Sequence, residues 1–335
     1  MSLPSSQKEW LIKGTGNAFE TLVFQDAPVP KVGDNDVLVK MHGASLNYRD
    51  LIIPRGKYFF ALNLPVVAGS DGAGEVVSVG SKVRKFKRGD KVVTLFNQGH
   101  QAGPIDIKAS KTGLGGCLDG TLRQYGAFNE NGLVHMPKNL DYLEAATLTC
   151  AALTSWNALY GLRAVKKGDT VLVQGTGGVS LFALQFAKAA GATVIATTSS
   201  AKKAEILKKL GADHVINYRE DTEWGATARK LTPGNEGVEH VIEVGGEGTM
   251  TQSLHAVKME GIISVIGVLS GTQPKDNILE TLMKVCTVRG VYVGSKEQME
   301  DMVKEVEEHN IHPVVDETRF TLEKAKEAYE FMASV

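Results

Sequence analysis

Cysteine is scarce in this chain, and the three present, Cys117, Cys150 and Cys286, stand far apart. They cannot build a disulfide framework, and no C-x-x-C pair opens a zinc lobe. Such usage points to a reducing compartment. No apolar run approaches the roughly 18 residues of a membrane span. Residues 1–10 are polar and lack the apolar core of a secretory signal. Charge bias is missing too: the formal net charge is −1. Bulk electrostatics therefore favours neither nucleic acid nor an anionic membrane as a partner. These absences leave a cytoplasmic enzyme acting on a small molecule as the expectation.

Glycine, by contrast, is abundant at 36 of 335 residues, which implies many tight turns and close backbone approaches. The length suggests two domains at roughly 150 residues each. The first third reads as β-rich. Residues 37–41 alternate apolar and polar side chains, and residues 72–79 and 90–96 are short Val-rich runs bounded by glycine. Short strands separated by Gly, Pro and Asn turns suggest a barrel or sandwich. Residues 97–120 form a Gly-rich loop without periodicity.

From about residue 139 the texture changes. A helical spacing runs over residues 143–160, followed by a strand at 170–173, a glycine loop and an apolar helix through Ala190. Further strands are expected at 193–198, 214–217, 241–244, 262–266 and 288–293, with helices at 201–210, 222–231 and 250–258. Strands alternating with helices of this length mean βαβ units and an α/β fold with a doubly wound, six-stranded parallel sheet, a Rossmann domain. A charged amphipathic helix with Met299, Met302, Val303 and Val306 on one stripe follows Gly294, and the tail from Phe320 reads as one more helix. The division expected is a β-rich domain over 1–138, a Rossmann domain over 139–294 and a tail over 295–335.

The strand at Val171 runs directly into Gly175-Thr176-Gly177-Gly178-Val179-Ser180 and then a helix. The first glycine makes the tight turn, the second lets backbone approach a pyrophosphate, and the helix N-terminus presents free N–H groups. Ser180 stands where a third glycine is usual. An NAD site generally places Asp or Glu about 20 residues on, but here the second strand ends Thr197-Thr198-Ser199-Ser200 with Lys202 and Lys203 behind it. Hydroxyls and lysines suit a 2′-phosphate, so Thr198, Ser199, Ser200 and Lys203 point to NADP. The plainer alternative is that Ser199 caps the next helix and the lysines form a solvated face. Tyr218, past the third strand, could flank the adenosine.

Residues 69–80, with Phe86, Gly89 and Asp90, the run Leu153-Thr154-Ser155-Trp156 and the glycine turns at 245–246 and 265–267 resemble the medium-chain dehydrogenase/reductase superfamily. The resemblance is to its zinc-free, quinone-oxidoreductase-like branch and covers nearly the whole chain. It implies a GroES-like catalytic domain that takes in the C-terminal tail, and often a homodimer paired through the last Rossmann strand. It also implies nicotinamide contacts from Thr154, Gly245, Gly267 and Val268. Relatives usually close with a Gly-Lys-Val-type strand, where this sequence reads Met332-Ala333-Ser334-Val335.

Carrying the zinc branch's pattern over, the first ligand position falls on Asn47 and the second on Ser70, next to Asp71; only Cys150 matches. An amide, a hydroxyl and one thiol do not make the three-ligand site that catalytic zinc needs. The structural-zinc lobe would need four cysteines after Phe96, and only Cys117 is there. Asn47-Tyr48-Arg49-Asp50 and Arg55-Gly56-Lys57-Tyr58 resemble the quinone-reductase pattern around the substrate. Asn47 could donate to a carbonyl oxygen as charge develops, and Tyr48 or Tyr58 could do the same or supply a proton. Asp50 joins them as a site candidate, or only pairs with Arg49 or Arg55. The expected function is NADPH-dependent, zinc-independent reduction of an electrophilic quinone or enone. Metal-free alcohol/carbonyl interconversion and NADPH binding without turnover are the alternatives.

Overall fold

A computed structural model describes residues 3–17, 19–267, 269 and 279–334. Val268, one of the expected cofactor contacts, lies outside the described residues. The chain divides into two units, one running to Leu153 and resuming at Gly294, the other spanning Thr154–Val293. The division falls within a helix at 153/154, later than the residue 138/139 boundary expected from composition.

The first unit opens with β1 (Ser6–Ile12), β2 (Leu22–Pro28), β3 (Asp36–Ser45) and the short α1 (Tyr48–Ile52). β4 (Val66–Val67), β5 (Asp71–Val79), β6 (Lys91–Thr94), α2 (Ile107–Ser110), β7 (Tyr125–Asn129), β8 (Leu133–His135) and α3 (Tyr142–Ala146) follow. Its strands pair antiparallel in a five-stranded sheet, β7-β3-β5-β6-β8, and a three-stranded one, β2-β1-β4. Alternation along β3 drives Val37 and Val39 into a core with Val76, Val92, Phe128 and Leu133. A second cluster gathers Trp10, Ile12, Leu51, Ile53 and Val66. The sequence reading missed β1, β2, β7 and β8, whose patterning is weak by itself. The helix expected over 143–160 is interrupted by a π-turn at Leu148–Ala152 before α4 (Leu153–Tyr160).

The second unit carries β9 (Thr170–Gln174), α5 (Gly178–Ala189), β10 (Thr193–Thr198), α6 (Ala201–Lys209), β11 (His214–Asn217) and α7 (Trp224–Lys230). It continues with β12 (Val238–Glu243), α8 (Glu247–Ala256), β13 (Val257–Val265), α9 (Leu279–Lys284) and β14 (Thr287–Gly290). All its strand pairs are parallel, in the order β11-β10-β9-β12-β13-β14. Every residue of β9 is buried, as expected of a strand covered on both faces. Several boundaries move. Val257 and Lys258 open β13 rather than closing the preceding helix, and the last strand covers 287–290, not 288–293. From Gly294 the chain rejoins the first unit, where α10 (Lys296–Glu308) buries Met299, Met302 and Val306. The indole of Trp10 donates to the Leu322 carbonyl at 2.6 Å, and α11 (Ala325–Ser334) buries Tyr329 in the same cluster as Trp10.

Candidate active site and cofactor loops

In the second unit the chain order of the strands reverses between β9 and β12, and the glycine loop leaves β9 at that switch point. Ligands of open α/β sheets bind beyond the strand C-termini at such a point. Gly175 adopts φ +74°, and a Cβ at Gly175 or Gly177 would meet nothing within 4 Å. The loop is therefore an open cradle, and Gly177 is the N-cap of α5, which has no side-chain cap on its N–H groups. The helix that follows β12 differs: Glu243 already occupies its start.

Ser180 has a structural explanation. It is 1% exposed, and its hydroxyl donates to the Gln174 carbonyl at 2.6 Å, tying the first turn of α5 to the end of β9. Ser155 on α4 donates to the Val179 carbonyl at 2.7 Å and holds the loop's far side. Thr154 beside it is buried.

At the end of β10 the Thr198 hydroxyl is buried and, among the described residues, has no hydrogen-bond partner. Ser200, not Ser199, caps α6 by accepting the Lys203 N–H at 3.3 Å. The side chain of Ser199 is thus not committed to the cap, and Lys202 and Lys203 are exposed. Tyr218 is exposed just past β11, its N–H donating to the Thr198 carbonyl at 3.0 Å.

The loops after β12 and β13 carry Gly245 and Gly267. A Cβ at Gly267 would lie 2.5 Å from the Val244 carbonyl, so only glycine fits. The fully buried Glu243 organises this end of the sheet. One oxygen accepts from the N–H groups of Gly245 and Gly246 at 2.9 Å and from the Thr249 hydroxyl at 2.5 Å. The other accepts from Gln174 Nε2 at 2.8 Å and from the Ser253 hydroxyl. Glu243 and Gln174 thereby link the glycine-loop strand to the next loop. Sequence reading missed both, because a Glu in a strand carries no signal of burial.

In the first unit, Asn47 caps the start of α1, its N–H donating to Asp50 Oδ2 at 2.8 Å. Its side-chain Nδ2 is buried and makes no hydrogen bond of ordinary geometry, although it lies close enough to Asp71 to favour that carboxyl's charged form. Ser70 donates to Asp71 Oδ1 at 2.6 Å, and the Cys150 N–H donates to Asp71 Oδ2 at 3.1 Å. Burial nevertheless pushes the Asp71 carboxyl up to about 7. Among the described residues no group of three or more His, Cys, Asp or Glu side chains is arranged to hold a metal ion.

Asp50 is buried beside Arg49, with Arg49 Nη1 3.5 Å from Asp50 Oδ1. Burial raises its carboxyl, with Arg49 and the Asn47 N–H opposing. Arg55 instead sits over the Phe19 ring at 4.7 Å. Arg49 Nε donates to the Tyr58 hydroxyl at 3.3 Å. Tyr58 is half-buried and Tyr48 is 45% exposed. The four first-unit candidates, Asn47, Tyr48, Asp50 and Tyr58, thus fall on α1 and the segment just after it.

An open glycine cradle at the switch point of a doubly wound sheet, in a chain that also carries a β-rich unit with a buried polar cluster, is the combination of a dinucleotide-binding oxidoreductase. Residues 33–138 match the alcohol dehydrogenase GroES-like domain, and residues 178–308 match the zinc-binding dehydrogenase family. The chain is 47% identical over 325 residues to the zinc-type alcohol dehydrogenase-like protein C1773.06c of Schizosaccharomyces pombe, covering 95% of this chain and 93% of that protein. It is 31% identical to the acryloyl-coenzyme A reductase of Sulfurisphaera tokodaii, with 92% of each covered. The solved quinone oxidoreductase of Pseudomonas syringae pv. tomato DC3000 superposes with a TM-score of 0.81 at 26% identity, covering 98% of this chain and 96% of that one. The chain belongs to the medium-chain dehydrogenase/reductase superfamily, oxidoreductases that bind a nicotinamide cofactor. Among the described residues no helix is long and apolar enough to cross a membrane.

Proposed function

We propose that this protein is a zinc-independent, NADPH-dependent reductase of activated carbonyl compounds, a quinone or an α,β-unsaturated ketone or aldehyde. The carrying observation is the buried Nδ2 of Asn47, which lies beside Asp71 without a hydrogen bond of ordinary geometry, at the position where the zinc branch has its first ligand. A buried donor held in a poor contact is under-satisfied, and an oxygen arriving there with growing negative charge can take its hydrogen bond. The neighbouring donors do not fit a zinc ion, because Ser70 and the Cys150 N–H already take up the Asp71 oxygens. No step is therefore assigned to a metal. The names of two similar proteins, acryloyl-coenzyme A reductase and quinone oxidoreductase, point to the same acceptor chemistry.

The second unit fits the cofactor. The Gly175–Gly178 cradle and the uncapped start of α5 suit a pyrophosphate. The orphaned Thr198 hydroxyl, Ser199 and Lys203 suit a 2′-phosphate, while Thr154, Gly245 and Gly267 are the proposed nicotinamide contacts. NADPH held by these residues would supply the hydride that the substrate's β-carbon or quinone ring accepts. Asn47 then holds the resulting enolate or phenolate oxygen, and Tyr58 delivers the proton that completes the reduction. The catalytic roles belong to the first unit and the cofactor to the second. Cytoplasmic location and a homodimer belong to the same proposal.

The test pairs NADPH and NADH titrations with turnover on cyclohexenone, benzoquinone and simple ketones. NADPH binding at least tenfold tighter than NADH, with enone or quinone turnover preferred, is expected. A clear preference for simple ketones favours the second reading, metal-free alcohol/carbonyl interconversion, to which the relatives' alcohol dehydrogenase names point.

A further inference from the structure

Arg49 is the least expected group in the first unit: a guanidinium that is almost wholly buried, its side chain 9% exposed. A buried cation is tolerated only when its donors are satisfied and its charge is balanced. Here Nη1 donates to the Leu114 carbonyl at 3.0 Å and lies 3.5 Å from Asp50 Oδ1. The Phe96 and Tyr58 rings lie against it at 4.7 and 5.1 Å from their centroids. Burial opposes the charge, yet Tyr58 and Asp50 outweigh it and keep the guanidinium protonated.

Its remaining polar contact is the informative one. Arg49 Nε donates to the Tyr58 hydroxyl at 3.3 Å. Arginine has no acceptor atom, so Tyr58 must use an oxygen lone pair for this bond. The phenolic hydrogen is therefore turned away from Arg49, and among the described residues no acceptor is seen for it. Two residues earlier, at the cap of α1, Asn47 presents a buried Nδ2 that makes no hydrogen bond of ordinary geometry and lies beside Asp71. The turn of α1 thus carries both an oxygen-binding amide and the group that aims a phenol.

We propose that Arg49 is a positioning residue for proton donation by Tyr58, a role that rests on the reductase reading above. The O–H bond of Tyr58 breaks as the proton passes to the enolate left by hydride addition. The electron pair stays on the phenolate oxygen, where the fixed guanidinium stabilises it through a charge-assisted hydrogen bond. Solvent then returns a proton to Tyr58.

The test is a double-mutant cycle on NADPH-dependent enone reduction with Tyr58→Phe and Arg49→Lys, alone and together. Tyr58→Phe lowers kcat by about 10²-fold, in the range of a lost general acid, with NADPH affinity unchanged. Arg49→Lys lowers kcat about tenfold in the parent and has no further effect in the Tyr58→Phe background. Equal losses in both backgrounds mean that Arg49 only braces the loop at Leu114, and the inference is overturned. Unchanged kcat in Tyr58→Phe overturns it as well. If Arg49→Lys does not fold, Arg49→Gln, which keeps an N–H donor without the charge, replaces it in the cycle. Independently of turnover, 3-fluorotyrosine in place of Tyr58 gives one sharp 19F resonance that shifts or broadens when Arg49 is replaced; an unmoved line counts against the contact. No turnover by the unaltered protein on any enone or quinone sinks the parent reading instead.

Discussion

His240 offers a direct physical test of the second unit. It lies on β12, 1% exposed, with neither ring nitrogen hydrogen-bonded among the described residues and the nearest Asp169 oxygen 3.9 Å away. Burial, helped by the Arg163 charge and opposed by Glu239, pushes its imidazole down from 6.5 to about 4. The unfolded chain therefore binds a proton near pH 6.5 that the folded chain resists until about pH 4. Stability from this group is complete above pH 7 and is lost as pH falls through that window. Linkage between those two values amounts to about 1.4 kcal/mol at pH 5.5 and about 2.5 kcal/mol at pH 4.5. His240→Leu removes the titration while keeping an apolar side chain of similar size. Denaturant unfolding of both proteins from pH 7.5 to 4.5 isolates the effect, because every other titrating group cancels in the difference. The variant should gain on the parent steadily as pH falls. Parallel profiles would refute the reasoning, meaning that His240 finds a proton partner or water when charged.

Three further outcomes follow from the site. Asn47→Ala should lower kcat/KM for enones by about 10²–10³, the size of a lost oxyanion donor, with NADPH affinity intact; a loss below threefold removes Asn47 from the mechanism. Ser199→Asp restores a carboxylate at the end of β10, and steady-state kinetics should then turn from NADPH toward NADH by at least about tenfold. Continued NADPH preference would place the 2′-phosphate elsewhere. Ser180→Ala deprives the Gln174 carbonyl of its 2.6 Å donor, so calorimetry should record a Tm lower by about 2–4 °C for a cost near 1 kcal/mol. An unchanged Tm would mean that the serine is merely small enough to fit.

Periodicity and glycine placement determined much of this protein in advance. The parallel sheet was legible because strands buried on both faces are continuous apolar runs, such as Val171 to Val173, separated by helices of matching length. The cradle was legible because only glycine takes φ +74° at Gly175 and leaves the open space a phosphate needs. The acid-free end of β10 was equally plain from residues 197–200. Other features depended on tertiary packing. Edge strands such as β2 and β8 have weak patterns of their own and are recognised only by their partners. Whether Ser199 or Ser200 caps α6 turns on a single backbone dihedral pair. Glu243, Gln174 and Arg49 look like ordinary polar residues in sequence, since burial and hydrogen-bond geometry are properties of groups brought together from distant positions. Residue types at Asn47, Ser70 and Cys150 were enough to question a zinc ion, but only folding joined Ser70 and the Cys150 N–H to Asp71 and left the Asn47 Nδ2 beside that carboxyl without a hydrogen bond of ordinary geometry.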